Sequence, residues 1–188
     1  MSGTSNADAL AAIRDWASLR DLDLQEDRAT GSGAVFSRCG SWRYLLWRVG
    51  TGRGGLLGMG MLNPSTADAA RDDPTLRRCR AQVGRARLSG LLVWNLFAFR
   101  ATLPADLKRA ADPVGPDNDA AIALALGFAR RTILGWGVHG AYGGRDQAVL
   151  EQCAASGTVL HTLGLAAGGA PRHPLYLPPK TRCRRLPY

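Results

Sequence analysis

Nowhere do the cysteines of this chain stand at metal-ligand spacing. Cys39, Cys79, Cys153 and Cys183 are scattered with no C-x-x-C pair, which argues against a zinc ribbon and points to free, reduced thiols. No apolar run approaches the length of a membrane span, and residues 1–8 carry neither the basic nor the apolar region of a signal peptide. A soluble, cytoplasmic protein is therefore expected, with no membrane partner. A G-x-G-x-x-G or Walker sequence is also missing. The glycine-rich Thr51-Gly52-Arg53-Gly54-Gly55 reads as a flexible basic lead into a strand, not as a nucleotide loop. Asp72 and Asp73 stand together, but no third carboxylate lies nearby to make a metal site with them, so helix capping is their stronger reading.

Acidic residues are in deficit. Fifteen Asp+Glu stand against 24 Lys+Arg, a net charge of +9 on 188 residues. That excess, most of it arginine, suits a polyanionic partner, most simply nucleic acid. Length and a 46% hydrophobic content fit one domain with a substantial core, residues 1–188.

The stretch Gly58-Met59-Gly60-Met61-Leu62-Asn63-Pro64-Ser65-Thr66-Ala67-Asp68 anchors the rest. An apolar run, Leu56 to Met61, reads as a buried parallel strand that ends in a polar turn. Ligands of open α/β sheets bind at the carboxyl ends of strands, which is where this pattern puts Asn63. Pro64 stiffens the turn by fixing its φ. Leu91-Leu92-Val93-Trp94-Asn95 repeats the design: an apolar strand running into one amide. A buried amide without a partner costs roughly 1–3 kcal/mol, so Asn95 needs the protein, water or a ligand. Its carboxamide offers both a donor and an acceptor, as a nucleobase edge does. Thr132 to Gly137 reads as a third strand and Thr158 to Leu163 as a fourth, with His161 structural inside it. His139 reads as a surface residue.

Helices are expected from Asn6, read as an N-cap; from Asp73 with Pro74 in the first turn, carrying Arg77, Arg78, Arg80, Arg85 and Arg87; over Ala105–Ala110; from Pro116-Asp117-Asn118; and over Arg145–Ala155. The arginines of the second could follow a phosphate backbone or form a solvated face. Residues 1–50 form a helix and hairpin ahead of a core at 56–177, and the aromatics Trp42, Tyr44 and Trp47 read as sheet packing. The tail, Gly168 to Pro179, cannot be helix or central strand because of its prolines, and it holds His173 between Arg172 and Pro174. Lys180, Arg182, Arg184 and Arg185 follow as a basic terminus.

These strand ends resemble the uracil-DNA glycosylase superfamily, and most closely a branch with an M-L-N-P-S-T-A-D signature. Met61–Asp68 resembles the family's first motif. Val93-Trp94-Asn95-Leu96-Phe97 resembles the strand that supplies its base-reading asparagine. Ile133-Leu134-Gly135-Trp136-Gly137 resembles its L-W-G strand, and Arg172-His173-Pro174-Leu175 its histidine loop. The resemblance implies a three-layer α/β/α fold around a central, mostly parallel four-stranded sheet. It implies a monofunctional, cofactor-free and metal-free DNA glycosylase acting as a monomer. Asn63 and His173 are then the catalytic residues. Leu62, Pro64, Ser65, Asn95, Trp136 and Leu175 would bind the flipped base; Arg100, Arg172, Lys180 and Arg182 would bind DNA. A nucleic-acid-binding protein without catalysis, or a nucleotide or nucleoside hydrolase, are the alternatives.

Overall fold

The computed structural model describes residues 5–52, 54–65 and 69–186. Arg53 of the glycine-rich lead and Thr66-Ala67-Asp68 of the anchor stretch lie outside the described residues, as do residues 1–4.

Eight strands form one mixed sheet. Three come first in an antiparallel meander: β1 (Asp23–Asp27), β2 (Ser32–Phe36) and β3 (Arg43–Val49). Then follow β4 (Leu56–Met61), β5 (Gly90–Asn95), β6 (Ala129–Leu134), β7 (Leu160–Thr162) and β8 (Arg184–Arg185), in the order β1-β2-β3-β5-β4-β6-β7-β8. The pairings of β4 with β5, β4 with β6, and β6 with β7 are parallel; the other four are antiparallel. The α/β class is as expected, but the sheet is twice as wide as the four strands read from the sequence and more antiparallel than parallel. The difference lies at the edges. β3 pairs directly with β5, so the N-terminal hairpin is part of the sheet and not an extension beside it.

Five α-helices are found among the described residues: α1 (Asn6–Leu19), α2 (Pro74–Arg85), α3 (Pro104–Arg109), α4 (Asn118–Phe128) and α5 (Arg145–Ala155). Ser5, not Asn6, caps α1. Its hydroxyl accepts from the Asp8 amide at 3.2 Å while the Asp8 carboxylate accepts from the Ser5 amide at 3.0 Å, a reciprocal capping box. Asp73 caps α2 through the Leu76 amide, with Pro74 as the first helical residue, as expected.

Two apolar layers sandwich the sheet. Ile13 of α1, Ile122 and Leu126 of α4 and Val149 of α5 pack with Trp47, Leu92 and Trp94 on one face. Leu76 and Cys79 of α2 pack with Leu57, Met59, Leu91, Val93 and Ile133 on the other. Each such side chain contributes about 1.5–3 kcal/mol when fully buried. The Leu-Gly-Met-Gly-Met sequence of β4 follows from this alternation. Met59 and Met61 face α2, and the glycines face the opposite layer, where the Trp94 ring crosses the strand. A Cβ on Gly60 would come within 2.5 Å of that ring. Tyr44 and Trp47 are buried, as expected of packing aromatics.

Candidate active site

The parallel strands end on one side of the molecule, and the segments that leave them enclose a cavity of about 480 Å³. Asn63 enters from the turn after β4, Asn95 from the end of β5, Trp136 from the segment after β6 and His173 from the loop after β7. Leu62, Ser65, Arg172 and Leu175 also line it. Four stretches far apart in sequence thus meet around one space.

Backbone hydrogen bonds fix the wall. The amides of Leu96, Phe97 and Ala101 donate to the carbonyls of Met61, Leu62 and Pro64 at 2.9–3.0 Å, stitching the segment after β5 onto the turn after β4. Asn63 adds to this seam. Its Nδ2 donates to the Ala101 carbonyl at 2.7 Å and to the Pro64 carbonyl at 3.0 Å. Both amide hydrogens are thereby used, and Oδ1 is the atom left to accept from a ligand or water.

Asn95 is different. It is only 1% exposed, and neither its Oδ1 nor its Nδ2 has a hydrogen-bond partner among the described residues. Its main chain, by contrast, is held. Asn118 on α4 donates through Nδ2 to the carbonyls of Asn95 at 3.1 Å and Leu96 at 2.9 Å, and Arg145 Nε donates to the same Leu96 carbonyl at 2.8 Å. The backbone is thus held in place while the carboxamide is left to be satisfied by water or a ligand.

His173 precedes a 3₁₀ turn, Pro174–Tyr176, and its Nδ1 accepts from the Leu175 amide at 3.3 Å. That bond assigns the ring hydrogen of the neutral imidazole to Nε2. Burial pushes the imidazole below its usual titration range, against a smaller opposing effect of the Asp73 charge. His173 is thus a neutral Nε2–H donor at pH 7. Gly135 lets the turn sit close: a Cβ there would meet the Pro174 ring at 2.9 Å. Tyr176, 76% exposed, packs its ring 5.4 Å from that of His173 at the rim.

Several residues lie elsewhere. Pro64 is buried behind the wall, where its carbonyl accepts from Asn63 and Ala101. Arg100 stacks over the Phe36 ring at 5.2 Å, beside a smaller cleft that shares Ser65 with the main cavity. Lys180 and Arg182 are exposed on the tail and do not line the cavity. His139, read as a surface residue, is exposed yet lines the mouth. The arginines of α2 are partly spoken for: Arg80 pairs with Asp72 at 2.8 Å, and Arg77 and Arg85 donate to the carbonyls of Asp72 and Pro179.

Sequence reasoning missed three contributors. Arg43, at the start of β3, and Thr75 line the cavity, and Asn118 pins the Asn95 backbone. Asp73, read only as a cap, lines it too. Nothing in the local sequence marks Arg43, whose amide donates to the Ala98 carbonyl at 2.9 Å, three residues past the end of β5. Among the described residues no three His, Cys, Asp or Glu side chains gather as metal ligands, and no helix is long and apolar enough to cross a membrane. Cys79 and Cys153 are buried, which pushes their thiols up to about 12 and about 11; all four cysteines are free.

Neither a curated protein nor a solved structure matches the chain. A family model does, over residues 43–175, a span that holds Asn63, Asn95 and His173, and the protein belongs to the family described as "Protein of unknown function (DUF1643)".

Proposed function

We propose that the protein is a monofunctional DNA glycosylase that hydrolyses the N-glycosidic bond of a flipped-out damaged or modified base and leaves an abasic site. The observation that carries this reading is the convergence of Asn63, Asn95 and His173 on one cavity. Support also comes from the run β5-β4-β6-β7, four mutually parallel strands in which each carboxyl end contributes a wall of the cavity.

Cleavage of a glycosidic bond builds positive charge on the sugar and negative charge on the departing base. His173 serves as the donor to the base, its Nε2–H needing no proton transfer to stabilise developing charge. Asn95 reads the base edge with the carboxamide that the protein leaves unpaired. Asn63 holds water through Oδ1, because its Nδ2 is committed to the wall. Flipping costs a few kcal/mol, offset by phosphate contacts from Arg172 at the cavity and by the +9 charge of the chain. No metal or organic cofactor enters this chemistry, and the enzyme acts as a cytoplasmic monomer on DNA.

We propose as substrate a modified base, such as a hypermodified pyrimidine of phage DNA, which would make the protein a defence enzyme. The test is incubation with uracil-containing, mismatched and glucosylated-hydroxymethylcytosine DNA, followed by cleavage at abasic sites. Strand breaks in the glucosylated DNA are expected; intact strands in all three would end the glycosylase reading.

A further inference from the structure

Two aspartates adjoin at the start of α2, and the fold treats them in opposite ways. Asp72 is neutralised: Oδ1 accepts from Arg48 Nε at 2.9 Å and Oδ2 from Arg80 Nη1 at 2.8 Å, away from the main cavity. Asp73 has no salt bridge among the described residues. Its Oδ1 accepts the capping bond from the Leu76 amide at 2.7 Å, and Oδ2 accepts none among the described residues. Asp73 lines the cavity, and it is the sole carboxylate among the described residues that do. The same cavity contains the buried, unpartnered Asn95 carboxamide, and the Asp73 charge is felt at His173.

Asn63 cannot take a proton from water. Its Nδ2 is held in the wall and its Oδ1 only accepts a hydrogen bond. The cavity therefore lacks a base at the strand end, yet has one anion on the adjoining helix.

We infer that Asp73 is the catalytic carboxylate of this site, supplied by the N-cap of α2 in place of a strand-end acid. The inference rests on the glycosylase reading. Asn63 Oδ1 orients the attacking water, whose oxygen forms the new bond to the sugar C1′. The C1′–N bond breaks with its electron pair leaving on the base, where His173 Nε2–H stabilises it. The water's proton passes to the free Oδ2 of Asp73 and from there to solvent, which reprotonates the departed base. Between bond breaking and bond making the same carboxylate offsets the positive charge on the sugar.

The decisive variant is Asp73→Asn. Asparagine caps a helix as well as aspartate does, so it removes the charge and keeps the fold. Single-turnover excision is compared for wild type and variant, using whichever DNA of the three classes the wild type cuts. The rate constant should fall about 100-fold or more, with the thermal midpoint unchanged and the Kd for that DNA within about twofold of wild type. A fall smaller than about tenfold overturns the assignment, as does a parallel loss of DNA binding or of stability, which would make Asp73 structural. Wild-type protein that cuts none of the three overturns the glycosylase reading itself. A second readout needs no substrate: the His173 imidazole, followed by NMR, should titrate at lower pH in Asp73→Asn, and an unmoved titration removes Asp73 from the site.

Discussion

Asn63 reaches across 38 residues of chain to donate its side-chain amide to the Ala101 carbonyl at 2.7 Å. An asparagine at this strand end is therefore a strut of the cavity wall as well as a ligand to whatever fills it. Asn63→Asp would set a carboxylate oxygen against two carbonyl oxygens. It should lower stability by about 1–3 kcal/mol and slow any excision, even though an aspartate there looks like the better catalyst. Thermal unfolding beside an abasic-site assay checks this; an aspartate variant that is both stable and faster would contradict it.

Asn95 gives the opposite pattern. Its carboxamide is buried without a partner among the described residues, so Asn95→Leu, of similar size, should leave the unliganded protein as stable or stabilise it by up to about 2 kcal/mol. Base recognition should be lost. Urea unfolding together with excision assays separates the two effects.

Asn118 acts at a distance. Asn118→Ala removes two hydrogen bonds to the carbonyls of Asn95 and Leu96. A loss of about 2 kcal/mol is expected, near 1 kcal/mol for each bond, read as a lower urea midpoint at unchanged slope.

Acid should weaken the fold through His173. Burial holds its imidazole below the ordinary range. Below about pH 6.5 the unfolded chain takes up a proton there before the folded protein does. Stability is therefore withdrawn as pH falls from that value toward the folded one, and above it the contribution vanishes because both forms are neutral. His161, also depressed by its own burial first and then by Arg131, acts in the same direction. The comparison is thus between wild type and His173→Gln: the variant should lose less stability between about pH 7.5 and about pH 5.5. Equal losses would show that His173 ionises as freely in the folded protein as in the unfolded chain.

Much of the centre of the fold could be read from the chain because burial and pattern agree there. The apolar runs Leu56–Met61 and Leu91–Asn95 are strands, the first stopping two residues before Asn63 and the second at Asn95, since strands covered on both faces have no reason to alternate polarity. Asp73 with Pro74 and the Arg145–Ala155 helix were legible for the same reason. The edges were not. β1 reads Asp-Leu-Gln-Glu-Asp, a sequence with no strand signature; its order comes from pairing with β2, and its charges suit an exposed edge. β8, two arginines on β7, is equally silent. The start of α1 was misplaced by one residue because Ser5 and Asp8 form a box that outcompetes Asn6. In the site, residues at the ends of buried strands declared themselves, whereas Arg43 and Asp73 depended on which neighbour folds beside which.

The most direct measurement is base release under single-turnover conditions by wild type, Asn95→Leu and His173→Gln, on the three DNA classes and with protein in excess of Kd. Free base and abasic strand from the wild type, with release falling by at least about 100-fold in each variant, is the expected result. Release that survives both substitutions, or a wild type that binds DNA and never frees a base, would contradict the convergence of these side chains on one extruded nucleobase.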